Sequence, residues 1–415
     1  MHFYNPVNNK NSFLFSNIIQ SITKNKINID GAAPLSGLSY EEEIEIKKKA
    51  LFQFFKINKI GGQWETIVPS PRPRHYRTTT KRRVYYSNNN KFFLSMSYKK
   101  ETDFHQLSNE EKLEPVSHIK IYNLIYQKLN DPFFYDISKR CNYVIIRGNY
   151  NEFCLIFNMH KLNRKIVNKL KILAQFIKQN NPQIISCFVF LDPYKSKYYL
   201  DRRNAYPNNN FKKLFGMNFL HFSIEDVTYF YNPFSFSQIN LSVVPLLLKK
   251  TQELLQINNS FLKNMRFIDL YCGYGLFSLF FAKYFYETWG IDEDFISLKI
   301  ARQSVLHLKN IKSKTKIRFI AKEIKSTTLE QSLPTFGDRD EIILLDPPRN
   351  GVDKNVIFSI ADRAPLKIIH VFCNIDIMPY QLEIWKEIGY KVYKVLPLDM
   401  FPGTTLIENI VLLTR

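Results

Sequence analysis

Residues 267–275 read FIDLYCGYG, an apolar run that turns at two glycines, and this stretch decides the fold. The run predicts a buried strand, and the turn leads into the helix-like stretch LFSLFFAKYF (276–285). Glycines let a backbone approach a ligand closely, and the amino terminus of the following helix offers N–H groups to it. A tight strand-to-helix turn needs glycine in any case, so Gly273 and Gly275 are compatible with a ligand site or with a plain turn.

The alternation of strand and helix continues to the end of the chain. Helices are predicted near 298–308, 354–362 and 379–388, and strands at TWGIDED (288–294), KIRFIAKEI (316–324), EIILLDPP (341–348), KIIHVFC (367–373), KVYKVLPL (391–398) and TLIENIVLL (405–413). Such alternation predicts a doubly wound parallel sheet, whose ligands lie beyond the carboxyl ends of the strands. The last two strands lack an intervening helix, so we expect an antiparallel hairpin at the edge. This α/β, Rossmann-like order is the one expected of a class I methyltransferase domain.

The amino-terminal half shows a mixed α+β pattern. Residues 1–37 are rich in Asn, Ser and Lys and predict an extension with one short helix, whose mobility the sequence leaves open. Ser39 followed by Glu42 is a capping-box pattern that begins a helix. Further helices are predicted at 117–130 and 161–179, and strands within RVYYSNNNKFFLSMSY (83–98) and at YVIIRG (143–148), EFCLIF (152–157) and ISCFVFL (185–191). We therefore predict an α+β domain over 38–230 and the α/β domain over 231–415.

The chain is long, rich in hydrophobic residues and poor in cysteine. Its 415 residues are 45% hydrophobic, which suffices for a sizeable core and excludes wholesale disorder. Five cysteines are too few for a disulfide framework, and the first residues lack the features of a secretion signal. No uninterrupted apolar run reaches about 18 residues, so no membrane span is predicted. The expectation is a monomeric, cytoplasmic protein.

Positive charge is concentrated in one part of the chain. Residues 1–256 carry 37 Lys and Arg against 19 Asp and Glu, a net +18, whereas residues 257–415 carry 21 against 18, a net +3. Arginines neutralise phosphates and aromatic rings stack on unpaired bases, so a basic run with tyrosines nearby predicts an RNA-binding surface. A solvated charged loop is the alternative. The densest run, PSPRPRHYRTTTKRR (69–83), contains Arg72, Arg74, Arg77, Arg82 and Arg83.

Carboxylates stand at the ends of two predicted strands. Asp292 ends the second strand, where a carboxylate can accept both hydroxyls of a ribose. Together with a GxG turn, rather than GxGxxG, in this topology, Asp292 favours S-adenosylmethionine over a dinucleotide as the cofactor. Asp346 ends the fourth strand, and the two prolines that follow force a rigid, extended exit that would hold its carboxylate at the strand tip. A polar turn is the alternative.

Two further residues could carry chemistry. Cys373 closes a strand and would face the same crevice as Asp346. A nucleophilic thiol there would need a nearby positive charge or helix amino terminus, and a buried structural cysteine is the alternative. Glu408 interrupts an apolar strand, so it either faces solvent or is a buried proton acceptor with a raised pKa.

Together these residues resemble the uracil-C5 RNA methyltransferase family, which forms 5-methyluridine in tRNA and ribosomal RNA. The resemblance covers the carboxyl-terminal half in order and spacing, through SFSQIN (235–240), DLYCGYG (269–275), GID (290–292), DPPRNG (346–351), VFCN (371–374) and DMFPGTTLIE (399–408). It implies that the Cys373 thiolate adds to carbon 6 of uracil and that Glu408 removes the proton from carbon 5. It further implies that Phe236 stacks on the uracil, and Arg349 is predicted to contact the RNA. The methyl-donor site would be lined by Gln238, Tyr271, Asp292 and Asp346 beside Gly273 and Gly275.

The sequence departs from the family pattern at three positions. Leu276 stands where an Asn often contacts the cofactor, Ile375 where Pro is usual, and Leu406 where a His is common. None of these changes removes a chemical group that the mechanism needs. The four-cysteine iron–sulfur pattern and the small amino-terminal barrel of some ribosomal-RNA members are missing from the sequence. We therefore predict no metal or iron–sulfur cluster, and tRNA with a T-loop target uridine rather than ribosomal RNA. The remaining cysteines, Cys141, Cys154, Cys187 and Cys272, are too dispersed for a cluster.

Three alternatives stay open on the sequence. The first is a uracil-C5 methyltransferase that acts on ribosomal RNA. The second is a non-catalytic RNA-folding or assembly factor, which only the three departures support. The third, an amino-group or ribose methyltransferase on the same scaffold, leaves Cys373 and Glu408 unexplained.

Overall fold

The computed structural model describes residues 14–24, 27, 31–86, 91–95, 111–196, 200, 210–257, 262–309, 315–335 and 339–415. The chain divides into two compact units. Unit 1 comprises Met1–Pro73, Phe222–Tyr231 and Ser235–Arg415, and unit 2 comprises Arg74–His221 and Asn232–Phe234. Within the described ranges we find no helix of the length and apolar character that crossing a membrane requires.

Helices and strands alternate regularly from Val244 to Leu398. The helices are α1 (Phe15–Ile22), α2 (Tyr40–Ile57), α3 (Val116–Leu129), α4 (Tyr135–Ser138), α5 (Arg164–Asn180), α6 (Val244–Leu255), α7 (Leu276–Phe281), α8 (Phe295–Val305), α9 (Ser326–Ser332), α10 (Lys354–Asp362) and α11 (Met378–Glu387). The strands are β1 (Gln63–Trp64), β2 (Thr79–Tyr86), β3 (Phe92–Ser95), β4 (Cys141–Gly148), β5 (Phe153–Met159), β6 (Ile184–Leu191), β7 (Phe211–Gly216), β8 (Leu220–Ile224), β9 (Val227–Tyr231), β10 (Leu262–Leu270), β11 (Phe285–Asp292), β12 (Lys316–Ala321), β13 (Asp340–Leu345), β14 (Lys367–Phe372), β15 (Lys391–Leu398) and β16 (Glu408–Thr414).

Unit 1 is built on an eight-stranded sheet of order β1-β15-β16-β14-β13-β10-β11-β12. Strands β10 to β14 pair in parallel, and a helix follows each of them, which confirms the predicted α/β fold. The last strand, β16, lies antiparallel between β14 and β15. The expected hairpin of β15 and β16 is therefore present, and β1 extends the sheet beyond it.

Several element boundaries in unit 1 differ by a few residues from the sequence-based prediction, and two of these differences bear on the site. The helix predicted over 276–285 ends at Phe281, because a 3-10 turn (Ala282–Tyr284) leads directly into β11 at Phe285. The apolar run is continuous across this junction, so hydrophobicity does not mark it. The strand predicted from 405 begins only at Glu408. Glu408 therefore lies at the end of a strand rather than inside one.

The amino-terminal helices belong to unit 1. The capping box at Ser39 is present, and it begins α2. Phe15 of α1 and Phe54 of α2 are buried in the same hydrophobic cluster as residues of β10, β13 and β14. Residues 38–73, which the sequence analysis grouped with the α+β domain, thus pack in the unit that carries the parallel sheet.

Unit 2 contains a six-stranded mixed sheet of order β3-β2-β4-β5-β6-β7. Its core is formed by the apolar residues of α3, α4 and α5 packed against β4, β5 and β6. The helices and the three central strands lie within a few residues of their predicted positions. The two strands predicted within 83–98 are present as β2 and β3, which pair antiparallel, whereas 87–90 and 96–98 lie outside the described residues.

A buried ion cluster joins three strands of unit 1 near their amino ends. Arg266 of β10 is 1% exposed and stands opposite Glu287 of β11 and Glu341 of β13 in the register. Its guanidinium donates to Glu287 Oε1 at 2.6 Å and to Glu341 Oε1 at 2.7 Å. Arg363 donates to the same Glu341 carboxylate. The cluster satisfies charges that would otherwise be costly to bury, and it lies away from the carboxyl edge of the sheet.

Candidate active site

The turn after β10 forms a cradle at the carboxyl edge of the sheet. Asp269 is fully buried, and its Oδ2 accepts hydrogen bonds from the Ser278 backbone N at 2.8 Å and from Ser278 Oγ at 2.6 Å, which ties β10 to α7. Burial nevertheless raises the pKa of Asp269 to about 7. Gly273 and Gly275 have φ of +54° and +84°, a region that suits glycine. A Cβ built on Gly273 would meet no described atom within 4 Å, so space for a ligand lies against this backbone.

Asp292, the last residue of β11, fastens the same turn. Its Oδ2 accepts from the Gly273 backbone N at 2.9 Å, and its Oδ1 accepts from the Asp294 backbone N at 2.7 Å. These backbone hydrogen bonds hold the carboxylate at the end of the strand, where a ligand hydroxyl can donate to it. Burial raises the pKa of Asp292. Neighbouring Tyr271 is held at a φ of +64°, an unusual conformation for a tyrosine and one that occurs at ligand sites.

Cys373 and Glu408 meet through the pairing of β14 and β16. In this antiparallel pair Phe372 stands opposite Asn409, so the next step of the register places Cys373 opposite Glu408. Residues directly opposite each other in such a pair have Cβ atoms about 5 Å apart and point to the same face. The sequence separates them by 35 residues, and the sheet brings them together.

The surroundings of Cys373 distinguish it from the other cysteines. The other four are buried, whereas Cys373 is partly exposed. Its thiol lies 3.9 Å from the carbonyl oxygen of Pro347, in the segment that follows Asp346. Asn374 Nδ2 donates to the Arg349 carbonyl at 3.2 Å and so joins the segments after β13 and β14. Cys373, Glu408 and Asp346 therefore occupy one edge of the sheet.

The charges at this edge oppose ionisation. Burial, together with the charges of Glu408 and Asp346, raises the pKa of the Cys373 thiol to about 12, and Arg349 acts to lower it. Burial and Asp346 likewise raise the pKa of Glu408 to about 8, again opposed by Arg349. Asp346 itself has its pKa raised to about 7 by burial and by Asp292. The exposed Arg349 is the positive charge that the sequence analysis required near the thiol.

Phe236 is displayed on the surface by a segment that is otherwise buried. Its side chain is 69% exposed, whereas Ser235, Ser237 and Gln238 are all less than a tenth exposed. Asn240 is completely buried and donates to Ser70 Oγ and to the Met400 carbonyl, both at 3.1 Å. An exposed ring on a fixed segment is suited to stacking on a base.

A buried ion cluster that the sequence analysis missed supports the loop before Glu408. Lys47 of α2 is 0% exposed and pairs with Glu43 and Asp399, each at 2.8 Å. Asp399 opens the DMFPGTTLIE segment, and the Gly403 N–H of that segment donates to Glu43 at 2.6 Å. The sequence feature that could have revealed this cluster is Lys47 itself, which lies on the apolar face of the helix at helical spacing from Ala50 and Phe54.

The three departures from the family pattern lie in well-packed positions. Leu276 and Ile375 are each 4% exposed, and Leu406 is half-buried. Ile375 begins a 3-10 turn (Ile375–Ile377), and the next residue, Asp376, accepts the Phe15 backbone N–H at 2.8 Å. The loop after Cys373 is thus held without the proline that the family usually has.

The basic run is divided by the fold. Arg72 is exposed in unit 1, and Arg74 and Arg77 are half-buried in unit 2. The prediction that Arg82 contacts RNA is wrong. Its side chain is buried, donates to Glu114 Oε2 at 2.7 Å and lies over the Tyr122 ring at 5.1 Å. Strand alternation is the reason, because Arg82 points to the helix-covered face of β2.

The residues at the edge fit S-adenosylmethionine. The open cradle at Gly273 suits an extended nucleoside ligand, the Asp292 carboxylate at the strand end suits a ribose hydroxyl, and Asp346 and Gln238 supply further polar groups. In the described part of the chain, no group of three or more His, Cys, Asp or Glu side chains is placed to hold a metal ion.

Comparison with known proteins gives the family. The family model described as tRNA (uracil-5-)-methyltransferase matches residues 209–415. An uncharacterized RNA methyltransferase of Caldanaerobacter subterraneus is 24% identical over 93% of this chain and 82% of its own length. One from Streptococcus pyogenes is 25% identical over 93% of this chain and 80% of its own.

A solved structure supports the same fold. The tRNA (uracil-54, C5)-methyltransferase of Pyrococcus abyssi, in complex with S-adenosyl-L-homocysteine, superposes with a TM-score of 0.64 at 19% identity, over 92% of this chain and 85% of that one. The chain therefore belongs, through residues 209–415, to the tRNA (uracil-5-)-methyltransferase family, and it is an S-adenosylmethionine-dependent RNA methyltransferase.

Proposed function

We propose that the protein methylates carbon 5 of a uridine in structured RNA through a covalent adduct with Cys373, and that its substrate is the T-loop of tRNA. The observation that carries this proposal is the register that sets Cys373 opposite Glu408, beside Asp346. A nucleophile and a base on one face are what methylation at a carbon of the uracil ring requires, whereas transfer to an amino or ribose group needs no cysteine.

The residues would act in a fixed order. The Cys373 thiol loses its proton to solvent, and the thiolate adds to carbon 6 of uracil, which makes carbon 5 an enolate-like nucleophile. S-adenosylmethionine, when bound, supplies the methyl group from its sulfonium. Glu408 then takes the proton from carbon 5, the bond between sulfur and carbon 6 breaks, and the Cys373 thiolate is released. Glu408 must be ionised for that step, and its raised pKa makes the carboxylate a stronger base once the proton has left.

Arg349 and Phe236 would prepare the substrate. The Arg349 guanidinium opposes the two carboxylates that keep the thiol protonated, so it favours the thiolate. The exposed Phe236 ring offers a stacking surface to a uracil that has left its own stack. Gln238, Tyr271, Gly273, Gly275, Asp292 and Asp346 would hold the methyl donor.

The first test is Cys373→Ala with labelled methyl donor and total unmodified RNA, followed by mapping of the labelled nucleotide. We expect the wild type to label carbon 5 of one uridine and Cys373→Ala to label none while it still binds RNA. Cys154→Ala, a buried cysteine in unit 2, is the matched control and should label normally. If Cys373→Ala still formed 5-methyluridine, the covalent mechanism would be refuted.

The second test concerns the base. Glu408→Gln removes the proton acceptor with little change of shape, so the adduct should form but fail to resolve. We expect a protein–RNA band that survives a denaturing gel. Methylated product without that band would point to a different base.

The choice of RNA has its own test. A transcript of the T-arm should be labelled at the T-loop uridine, the position that the name of the Pyrococcus abyssi enzyme specifies as uracil 54. Label found on ribosomal RNA transcripts instead would refute the tRNA assignment and leave the chemistry intact.

A further inference from the structure

Unit 2 contains a basic cavity with no assigned role. Its volume is about 240 Å³, and it opens at the end of the sheet where β2 and β4 pair. The residues that matter most here are Arg83, Tyr85, Lys139, Tyr143, His160 and Lys195. None of the described residues that line this cavity is acidic. The basic cavity therefore offers positive charge and aromatic surface together.

Strand alternation builds one wall of the cavity. Arg83 and Tyr85 lie on the face of β2 opposite to the buried Arg82, and Arg83 stands directly across from Tyr143 of β4. The Arg83 guanidinium is 5.2 Å from the centre of the Tyr85 ring. The same alternation that removes Arg82 from the surface thus brings Arg83 to the cavity.

The opposite wall holds an oriented histidine. Asn142 Nδ2 donates to Asn158 Oδ1 at 2.9 Å and to the Asp192 carbonyl at 3.2 Å, so its Oδ1 is the atom that faces His160 Nδ1 at 3.3 Å. Because that oxygen can only accept, Nδ1 of His160 carries the hydrogen. Partial burial and the charges of Lys195, Arg140 and Lys161 lower the pKa of His160, as expected where the local potential is positive.

We propose that this cavity binds one unpaired nucleotide of the RNA substrate, separate from the target uridine. Its phosphate would be held by Lys139, Lys195 and Arg83, and its base would lie against Tyr85. The inference rests on the proposed function only in taking RNA as the ligand. A phosphate ion as the ligand would contact the cations but leave the Tyr85 ring without a role. A protein partner would not account for a cavity of this size with cations on several sides.

Binding by the full chain tests the cavity without any methylation step. The probe is a fluorescein-labelled, single-stranded oligouridylate, with uridine monophosphate and inorganic phosphate as competitors. The variants are Lys139→Met with Lys195→Met, both exposed lysines whose loss should not disturb folding, and Tyr85→Leu. Arg164→Met is the matched control, because Arg164 is an exposed cation of unit 2 that does not line the cavity.

The two kinds of variant should act differently. The double lysine variant should weaken binding about tenfold at low salt and reduce the salt slope by about 0.7, the contribution of one phosphate contact to a single strand. Tyr85→Leu should weaken binding about tenfold with the salt slope unchanged, because a stacked base and not a phosphate is lost. Uridine monophosphate should compete better than inorganic phosphate.

Two results would overturn the proposal: variants that bind no worse than Arg164→Met, or inorganic phosphate that competes as well as uridine monophosphate. Its failure is distinguishable from that of the proposed function. A protein that binds the probe through the cavity but forms no 5-methyluridine refutes only the function. A protein that methylates uridine but binds the probe equally well in all variants refutes only the cavity.

Discussion

Replacement of Glu408 by Gln should make the protein more stable, and increasingly so as the pH rises. Glu408 is 2% exposed, and burial with the charge of Asp346 raises its pKa from 4.5 to about 8. The folded protein therefore keeps the Glu408 proton up to about pH 8, whereas the unfolded chain loses it near pH 4.5. Across that window Glu408 is ionised in the unfolded chain but not in the folded protein, so the free energy of unfolding falls progressively as the pH rises. Gln has almost the same shape and does not ionise.

The size of the effect follows from the two pKa values. Linkage between 4.5 and about 8 predicts that the stability difference between Glu408→Gln and wild type grows by on the order of 4 kcal/mol from about pH 5 to about pH 9. Urea denaturation at a series of pH values measures it. Glu383→Gln is the control, because Glu383 is an exposed glutamate on α11, 61% accessible, paired with Lys386.

A stability difference between Glu408→Gln and wild type that stays constant with pH would show that Glu408 is not a protonated, buried carboxyl. A difference that shrinks as the pH rises would show that the fold lowers the pKa of Glu408. Glu383→Gln should change stability by less than about 1 kcal/mol at every pH. The expected result would mean that unit 1 carries a free-energy cost at the edge of the sheet that holds Cys373 and Asp346, as is common at functional sites.

The remaining predictions concern other parts of unit 1. Lys47→Met should lower the free energy of unfolding by about 3–5 kcal/mol, since it leaves two buried carboxylates without their cation, and urea denaturation checks this. Arg266→Met should destabilise to a similar extent for the same reason, yet the affinity for S-adenosylmethionine in calorimetry should stay unchanged because Arg266 lies at the other edge of the sheet. Phe236→Ala should raise KM for RNA about tenfold while the affinity for the methyl donor is unchanged, which steady-state kinetics and calorimetry separate.

Several features of unit 1 could be predicted from the sequence because they are local. The alternation of apolar strands and helices after 265 predicts a parallel sheet, and α10 lies at the predicted 354–362. The positions of their motifs predicted that Asp292 and Asp346 lie at the same edge of the sheet, because the carboxyl ends of parallel strands share one edge. Each of these inferences depends on neighbours within about a dozen residues along the chain.

Other features could be identified only in the tertiary structure. They depend on which face of a strand a side chain points to and on pairing between residues that are far apart in the sequence. The sequence could not show which of Arg82 and Arg83 points to the covered face until β2 had a partner and a covering helix. It also could not place Lys47 beside Asp399, which is 352 residues away. Contacts at such separation are chosen by burial of whole surfaces, and no local pattern encodes them.

Cys373 and Glu408 show most clearly the difference between local features and features that depend on strand pairing. The motifs around Cys373 and Glu408 suggested their roles, through the resemblance and through a carboxylate in an apolar run. Their encounter depends on β16 entering the sheet antiparallel between β14 and β15, with Phe372 opposite Asn409. A shift of one residue in that register would turn Glu408 to the other face of the sheet, so the residue types came from the sequence and their opposition came only from strand pairing.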